Sequence, residues 1–485
     1  MASLNKTSSG KMRTQNKCGH AAYKMDDKTK LVTMALTTML GEPKFYGDNT
    51  DELIRLAMKL CHDGEGEFVA KLAVWARTKG NMRSVSHALI SVVSYNCSGE
   101  PFIRPAARAI ASMRGDDGTE ILATYKALYG DKVRWPHAIQ RGVRDALEGS
   151  SPFSLAKYQS RNRDMKLRDT LRITHPAASR DDTRDAMGKV VDGTLPMPKG
   201  WETELSERGN TKEVWDELIR EDRLGTFAKL RNLRNMMLAG ADVEPVLDTL
   251  EDRNTILKSR ILPFRFFAAY KELARYGLDT TRVTRALDAA MGHACGNVDA
   301  LPGRTAVLID TSGSMGAILS AKSSVQCSDV AAVLGAMVAR VSDDAWVCGF
   351  DFTAKRIRMT GMSVLNDART VPLCCGGTDM GAGFELLMKS DFDADRIIVL
   401  SDNEVNGGWY GNNHRTIQSC LERYRSKVGH DVWCHAIDLQ GYGTQQFIGP
   451  KVNVIAGWSE SVLRFIGMAE SGVGSIVSEI ESMRI

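Results

Sequence analysis

The chain has 485 residues, more than one hydrophobic core usually holds, because single cores stop growing near ~250 to 300 residues. Hydrophobic residues make up 43% of it and charged residues 25%, so the composition excludes large-scale disorder. Residues 1–300 carry 47 basic against 39 acidic side chains, whereas residues 301–485 carry 16 against 20. Residues 1–300 are therefore expected to bind a polyanion, whereas residues 301–485 are expected to have a different function.

The cysteines and the hydropathy pattern exclude further classes of protein. The ten cysteines show no CxxC pair and no zinc-finger spacing, so we expect reduced thiols. The most apolar stretch, residues 325–341, contains Asp329 and Arg340, and neither a membrane span nor a secretion signal is expected. The protein is accordingly predicted to be cytoplasmic, without membrane association.

Residues 1–20 are polar and basic and lack periodic apolar positions, which predicts a flexible basic arm. Over residues 21–300, apolar side chains recur at three- and four-residue spacing, and short breaks with Gly or Pro separate the runs. Stacked helix pairs of this kind predict a HEAT-like helical-repeat solenoid with no strand before residue 300. An irregular all-helical domain is the alternative, because no sharp internal repeat is visible. The tryptophans in these helical patterns are interpreted as core residues rather than base platforms: Trp75, Trp135, Trp201 and Trp215.

After Pro302 the pattern changes to short apolar runs that alternate with helical stretches. The runs are TAVLID, AWVCGF, RIIVL, VWCHAI and VNVIA, and the helical stretches lie near residues 320–340, 379–389, 413–428 and 460–470. Near-continuous apolar strands separated by helices predict a parallel sheet covered on both faces. We therefore expect a doubly wound α/β domain over residues 303–485.

Side chains that carry oxygen follow two of these predicted strands, at the sheet edge where α/β domains place their ligands. They are Asp310, Ser312, Ser314, Thr378 and Asp402. Carboxylates and hydroxyls are the hard oxygen ligands that Mg²⁺ prefers, and Mn²⁺ is the alternative ion. The five positions resemble the metal-ion-dependent adhesion site of von Willebrand factor A domains. The sequence therefore predicts one bound divalent cation; the alternative is that these residues only cap helices and form turns.

No catalytic constellation accompanies the predicted metal site. A serine nucleophile beside a base is not visible, and GxSxG, HExxH, GxxxxGK[ST] and GxGxxG are all absent. A metal ion with open positions more naturally captures an acidic side chain of a protein ligand. We therefore predict a binding protein rather than an enzyme, and rank metal-dependent RNA hydrolysis last.

Basic side chains are concentrated between Leu155 and Lys189. Acidic residues nearly vanish over residues 151–174, where only Asp164 and Asp169 remain. Cations can pair with phosphates, and an aromatic or imidazole ring among them can stack on an unpaired base. The candidate RNA-binding residues are Lys157, Arg161, Arg163, Lys166, Arg168, Arg172 and His175. A solvated helix face would explain the run equally well.

Helical repeats followed by a metal-site A domain resemble the Ro 60 kDa autoantigen family, whose helical module is called TROVE. The local matches are KLAVWARTKGNMRS at 71–84, WPHAIQRGVRDAL at 135–147, KYQSRN at 157–162, ITH at 173–175, and then LIDTSGSM, GGTDMG and SDNE. The resemblance covers nearly the whole chain beyond the first twenty residues. In its order of parts the chain looks like a bacterial-type member of the family.

The resemblance implies a monomeric ring of HEAT-like repeats that is closed by the A domain. Family members bind small noncoding Y RNA on the outer surface and single-stranded ends of misfolded RNA in the central hole, in RNA quality control or processing. The positions that match the family's RNA-contacting side chains are Lys157, Arg161 and His175. The resemblance further implies an exoribonuclease partner, as in bacterial relatives. A metal-dependent adhesion or scaffold module without RNA remains the alternative function.

Overall fold

The computed structural model describes most of the chain. The described residues are 13–15, 21–37, 48–80, 82–159, 164–318, 324–372, 376–404, 417–440, 444–456, 461–470 and 476–485. Two of the predicted RNA-binding residues, Arg161 and Arg163, lie outside these ranges. The chain divides into two compact units, which we call the helical unit (Asp27–Thr203 with Ile476–Ile485) and the mixed unit (Met1–Asp26 with Glu204–Ser475).

Among the described residues, helices dominate before residue 300, and six more α-helices follow after it. In chain order the α-helices are α1 (Asp27–Thr37), α2 (Asp48–His62), α3 (Gly66–Thr78), α4 (Arg83–Asn96), α5 (Ile103–Ala111), α6 (Asp117–Tyr129), α7 (His137–Glu148), α8 (Pro152–Tyr158), α9 (Leu167–Thr174), α10 (Asp181–Asp192), α11 (Trp201–Arg208), α12 (Lys212–Arg220), α13 (Thr226–Leu238), α14 (Glu244–Glu251), α15 (Arg253–Ser259), α16 (Pro263–Arg275), α17 (Thr281–Ala294), α18 (Cys327–Val341), α19 (Val364–Arg369), α20 (Met380–Lys389), α21 (Ile417–Val428), α22 (Ser461–Glu470) and α23 (Ile476–Ser482).

The strands of the described residues are β1 (Arg13–Gln15), β2 (Ala21–Lys24), β3 (Leu301–Asp310), β4 (Ser342–Phe350), β5 (Ala354–Ile357), β6 (Arg396–Ser401), β7 (Trp433–Asp438), β8 (Thr444–Gln445) and β9 (Val452–Ala456). Six of them form one sheet in the order β5-β4-β3-β6-β7-β9, in which only the edge strand β5 is antiparallel. The five predicted strands are confirmed. The sequence analysis missed β5 because it is short and exposes Lys355 and Arg356.

In the helical unit, neighbouring helices pack in pairs, as the three- and four-residue spacing predicts. Helix α3 buries Phe68, Leu72 and Trp75, which recur at intervals of three and four residues on one face. Helices α5 and α7 approach each other closely at Gly142, where an added Cβ would lie 2.6 Å from the carbonyl oxygen of Arg104. Burial of these apolar faces, rather than helix propensity, holds the pairs together.

The mixed unit contains α12 to α17 as well as the α/β domain. Lys271 on α16 forms an ion pair with Asp329 on α18 at 3.1 Å, and Asp288 on α17 accepts a hydrogen bond from the backbone N–H of Leu365 on α19. The secondary structure changes near residue 300, as predicted, but the division into compact units falls at residue 203. Periodicity reveals helices but not which of them pack against the sheet domain, so this division could not be predicted.

The two chain termini differ from the sequence analysis. Within the predicted arm, Arg13–Gln15 pairs with Ala21–Lys24, which in turn pairs with Thr444–Gln445, so the prediction of no strand before residue 300 is wrong. These strands are two to four residues long and their pairing is distant in sequence, so no local pattern reveals it. Helix α23 lies in the helical unit rather than in the predicted domain 303–485, and Glu481 there accepts hydrogen bonds from Lys28 and Lys71.

The predicted fold class, a helical-repeat region followed by a doubly wound α/β domain, is confirmed. Apolar cores lie between the helix pairs and on both faces of the six-stranded sheet. Within the described part of the chain, every helix is too short or too polar to cross a membrane.

Candidate metal site and nucleic-acid interface

The predicted metal ligands gather where the order of the central sheet reverses. Asp310 is the last residue of β3, and Asp402 directly follows β6, the strand hydrogen-bonded to β3 on the side away from β4. The chain runs from β3 to β4 and β5 on one side of the sheet and then returns to β6 on the other. Crevices at such a reversal are where open α/β sheets bind ligands.

Asp310 is held by hydrogen bonds from two sides. One carboxylate oxygen accepts the backbone N–H of Ser312 at 2.9 Å, and the other accepts the hydroxyl of Ser401 at 2.6 Å. The sequence analysis missed Ser401, although it precedes Asp402 in the SDNE motif. Its hydroxyl fixes the orientation of the Asp310 carboxylate, as partners of ligating carboxylates commonly do.

The two serines and Thr378 come from loops that are tied together. The hydroxyls of Ser312 and Ser314 lie 3.1 Å apart, with Ser312 buried and Ser314 exposed. The backbone N–H of Gly313 donates to the carbonyl of Gly376 at 3.0 Å, which links this turn to the loop that carries the buried Thr378. The five predicted residues therefore lie on the same edge of the sheet.

An aromatic ring explains why two glycines precede Thr378. An added Cβ at Gly376 would lie 2.8 Å from the ring of Phe352, and one at Gly377 would lie 2.6 Å from it. Gly376 also adopts a φ of 85°, which favours glycine. Phe352 itself is 51% exposed, so an apolar ring borders the loop at the protein surface.

The electrostatics of the site fit a bound cation. Asp310 and Asp402 are both at most 1% exposed. Burial, together with the charge of Asp402, raises the pKa of Asp310 to about 7. The two carboxylates repel each other, and a proton or a cation between them relieves that repulsion. Two carboxylates, three hydroxyls and added water would provide the oxygen ligands that Mg²⁺ prefers.

The predicted RNA-binding residues lie in the helical unit, on α8 and α9. Helix α9 buries Leu167, Thr170, Leu171 and Thr174. Arg168, Arg172 and His175 follow each other at intervals of four and three residues and are all exposed, so they share the opposite face. His175 ends the helix in the left-handed conformation, with φ 47°, and its N–H donates to the carbonyl of Leu171.

The basic run divides into a paired and an unpaired part. On and before α10, the ion pairs Arg180–Asp182, Arg184–Asp181 and Lys189–Asp185 are 2.5 to 2.9 Å long and lie at the surface. Lys157 lies 3.6 Å from Glu202, and Arg168 lies 3.7 Å from Asp169. Within the described residues, Lys166 and Arg172 form no ion pair. The cations that remain available to a polyanion are thus concentrated around α9.

The tryptophans separate into two classes. Trp75 and Trp215 are at most 1% exposed, which confirms their interpretation as core residues. Trp135 and Trp201 are only partly buried, so that interpretation is wrong for them. Trp135 lines a cavity, although its indole N–H donates to the carbonyl of Leu122. A helical apolar pattern does not distinguish a core position from a cavity wall.

Comparison with known proteins identifies both parts of the chain. A family model described as the TROVE domain matches residues 187–286, and one described as the Ro60 vWA domain matches residues 304–436. The resemblance to the Ro 60 kDa autoantigen family is confirmed. The Ro60 vWA match contains all five predicted metal-site residues, whereas the TROVE match begins after the basic residues of α8 and α9.

Individual relatives share part of this sequence. The chain is 27% identical to the "RNA-binding protein RO60" of Deinococcus radiodurans over 356 residues, 61% of this chain and 64% of that protein. It is 43% identical to the telomerase protein component 1 of Rattus norvegicus over 339 residues, 52% of this chain but 13% of that protein. The chain therefore spans under two thirds of the length of either relative.

A solved structure shares the fold of this chain. The crystal structure of the Deinococcus radiodurans RO (RSR) protein matches with a TM-score of 0.60 and 20% sequence identity, and covers 92% of this chain and 100% of that one. The Deinococcus relative is named as a binding protein and not as an enzyme. This agrees with the prediction of a noncatalytic protein.

Proposed function

We propose that the chain is a noncatalytic RNA-binding protein. It forms a cytoplasmic ribonucleoprotein with a small structured noncoding RNA of the Y RNA type, and it also takes single-stranded ends of misfolded RNA. The exposed basic face of α9, with Arg172 and the nearby Lys166 free of ion pairs among the described residues, carries this proposal. The name of the Deinococcus relative and the excess of basic residues before residue 300 support it.

The chemistry of α9 suits a phosphate backbone. An exposed guanidinium donates paired hydrogen bonds to phosphate oxygens, and every phosphate that is neutralised releases counterions. Arg168 and Arg172 lie one helical turn apart, so they can contact phosphates along one strand. His175, at the end of the same face, adds a ring that stacks on a base or donates to it.

Alanine substitution of Lys166 and Arg172 together tests the RNA proposal. We expect weaker binding of a structured RNA hairpin, and a plot of log K against log salt that is shallower by roughly 0.7 to 0.9 per lost phosphate contact. Filter binding over a range of salt concentrations measures both quantities.

We further propose an exoribonuclease partner that acts on RNA bound to this protein. The wild-type protein should capture this partner in the presence of RNA but not after ribonuclease treatment.

A matched control comes from the same basic run. Arg180→Ala with Arg184→Ala removes the same charge from cations that already pair with Asp182 and Asp181. We expect this variant to retain the affinity within about twofold and to keep the wild-type slope, because paired exposed cations release fewer counterions on binding. The proposal fails if both double variants fold and bind RNA with the same affinity and slope as the wild type.

We also propose that the A domain holds one Mg²⁺ ion, with Mn²⁺ as a substitute, on Asp310, Ser312, Ser314, Thr378 and Asp402. The donor set supports this, because two buried carboxylates and three hydroxyls are the hard oxygen ligands that Mg²⁺ prefers. The ion would supply a Lewis-acidic position for the carboxylate of a protein ligand. The residues of the chain do the orienting: Ser401 fixes Asp310, and the N–H of Glu404 donates to Asp402 at 3.1 Å.

The metal site favours a second candidate function, a protein-adhesion module that binds no RNA. Exposed Phe352 beside the loop of Thr378 would give such a protein ligand an apolar contact. The absorbance ratio at 260 and 280 nm of the freshly purified protein, together with binding to added RNA, distinguishes the candidates. Absence of nucleic acid and of RNA binding would leave the adhesion function as the better description.

A further inference from the structure

A cavity of about 600 Å³ lies in the helical unit, away from the basic run of α8 and α9 in the sequence. Its walls are the end of α4, one face of α6, the loop over residues 130–136 and the start of α7. The volume falls within the ~300 to 1,000 Å³ that is usual for small-molecule sites. The TROVE match begins at residue 187 and does not include these residues.

Tyr95 and Tyr125 line the cavity, and Tyr129 packs behind Tyr95. The rings of Tyr95 and Tyr129 are parallel within 11° and their centroids are 4.0 Å apart, while the buried Tyr125 is tilted against both. Tyr95 is 48% exposed, so the stack ends in an aromatic surface that faces solvent. An exposed ring that packs on a second ring behind it can stack with a further flat aromatic group, such as a base.

Positive charge surrounds this aromatic surface. Lys132 and Arg134 line the cavity, are exposed, and form no ion pair within the described residues. The ammonium of Lys126 lies 4.5 Å from the centroid of the Trp135 ring. One acidic residue, Asp131, also lines the cavity, and its carbonyl accepts a hydrogen bond from Lys126. The three cations outnumber the single carboxylate, so the cavity favours an anionic ligand.

The start of α7 adds hydrogen-bond donors. Pro136 is the N-cap residue, and a proline side chain cannot accept a hydrogen bond from the first amides of the helix. Pro136, His137 and Gln140 line the cavity, so this helix end lies at its wall. Backbone N–H groups at a helix start suit a phosphate group. The cavity thus combines an exposed aromatic ring with two features that attract phosphate. These are the exposed cations Lys132 and Arg134 and the backbone amides at the start of α7.

We propose that this cavity binds an unpaired nucleotide of single-stranded RNA. The base stacks on Tyr95, and its phosphate contacts Lys132, Arg134 and the first amides of α7. This site rests on the proposed RNA-binding function and adds a second RNA contact to it, specific for a base outside a duplex. A base paired within a duplex is stacked between its neighbours and cannot lie against the tyrosine ring.

Two RNA probes test the site in the full-length protein: a single-stranded oligoadenylate of about ten nucleotides and a blunt-ended RNA duplex of the same length. We expect Tyr95→Ala to weaken binding of the single strand about tenfold, because the stacked base loses its platform. Binding of the duplex should stay within about twofold. Tyr95→Phe retains the ring and should bind the single strand as the wild type does.

The charged wall of the cavity has its own variant. Lys132→Ala with Arg134→Ala should weaken binding of the single strand and flatten its salt dependence, whereas Tyr95→Ala should leave the slope unchanged. These cations are exposed, so the double variant is informative even if Tyr95→Ala fails to fold. Tyr276→Ala is the matched control. Tyr276 directly follows α16, is 46% exposed, and its ring lies against the guanidinium groups of Arg234 and Arg275. It should bind both probes like the wild type.

The outcomes separate the two proposals. If the wild type binds the single strand and a folded Tyr95→Ala binds it equally well, the nucleotide site is overturned while the RNA-binding function stands. Unchanged affinity and slope in the Lys132 and Arg134 double variant overturns it as well. If the wild type binds neither probe nor a structured hairpin, the proposed function itself fails, and the nucleotide site fails with it.

Discussion

Two buried aspartates show how the helical unit and the A domain differ. The side chains of Asp117, on α6, and Asp310, at the end of β3, are both fully buried. Yet the pKa of Asp117 is lowered to about 2, whereas that of Asp310 is raised to about 7. The same residue type, out of contact with solvent in both places, is thus stabilised as an anion in one place and destabilised in the other. Asp310 lies deeper in the protein, and the groups around the two carboxylates also differ.

Asp117 is compensated by the chain itself. Burial alone would raise its pKa, but hydrogen bonds from His87, Arg83 and Arg77 outweigh that effect. Arg77 on α3 donates at 2.8 and 2.9 Å, and Arg83 on α4 donates at 2.5 Å, so the carboxylate joins three helices. A buried charge that is satisfied in this way belongs to the scaffold.

Asp310 has neutral donors and a second carboxylate for neighbours. Ser401 and the N–H of Ser312 donate to it, while the charge of Asp402 opposes its ionisation. Each carboxylate thus adds to the cost of ionising the other, and a bound cation would lower that cost. The two aspartates show that a buried carboxylate held by arginines belongs to the scaffold, whereas one beside a second carboxylate is suited to bind a cation.

The largest effect is expected on metal binding. Asp310→Ala should abolish binding of Mn²⁺ and Mg²⁺, because it removes a ligand that no neighbouring side chain replaces. Isothermal titration calorimetry measures this directly. Asp391→Ala, which removes an exposed carboxylate from the same domain, is the matched control and should bind metal as the wild type does. Undiminished binding by a folded Asp310→Ala would show that the metal assignment is wrong.

The two aspartates should also differ in their effect on stability. Asp117→Asn removes the buried anion to which the partly buried Arg77 and Arg83 donate, and Arg83 keeps only Asp116 among the described residues. It should lower the free energy of unfolding of the helical unit by about 3 kcal/mol. Asp310→Asn, measured with a chelator present, removes a repulsion and should cost less than about 1 kcal/mol. Urea unfolding, monitored by circular dichroism, measures the free energy of unfolding of each variant. Equal losses in the two variants would contradict the distinction between a carboxylate held by arginines and one beside a second carboxylate.

Acid should act on the helical unit through Asp117. Its pKa in the folded chain, about 2, lies below the value of 3.8 for an unperturbed aspartate. The stabilising contribution, of about 2 kcal/mol, is therefore fully present above about pH 4 and is lost as the pH falls towards 2. Unfolding measured between pH 5 and 2 should show a steeper loss of stability in the wild type than in Asp117→Asn. Parallel pH profiles would exclude this contribution.

A smaller effect is expected at the end of α9. His175→Ala should weaken binding of a structured RNA only a few-fold and leave the salt dependence unchanged, because the ring is proposed to stack on a base or donate to it rather than to neutralise a phosphate. Filter binding over a range of salt concentrations tests this. A slope that flattens as much as in the Lys166 and Arg172 double variant would mean that His175 binds phosphate as a cation.

The placement of the candidate metal ligands was the most predictable feature of the molecule. They lie in short motifs at the ends of apolar runs, and parallel strands bring such ends to one edge regardless of the rest of the chain. The sequence therefore predicted that Asp310 and Asp402 share an edge without knowledge of the sheet order, while the bound ion itself stays a prediction. The sequence analysis missed Ser401, because a hydroxyl inside a buried strand carries no motif that distinguishes a partner of the metal site from a packing residue.

Features that depend on distant contacts were not predictable. The pairing of Arg13–Gln15 with β2, and of β2 with β8, joins segments that show no apolar alternation. Helix α23 was assigned to the A domain by its position in the sequence, but its contacts lie with α1 and α3. Trp135 shows the same limit at a single side chain, because periodicity cannot tell a cavity wall from a core.

The central claim is that the two regions divide the work: the helical unit holds RNA and the A domain holds the metal ion. The most direct test is the affinity of a structured RNA for Asp310→Ala compared with the wild type, measured by filter binding in the presence of Mg²⁺. The account predicts affinities within about threefold of each other, since the metal site lies in the acidic part of the chain and contributes no phosphate contact. A loss of tenfold or more in the folded variant would contradict it, because RNA would then have to reach the metal.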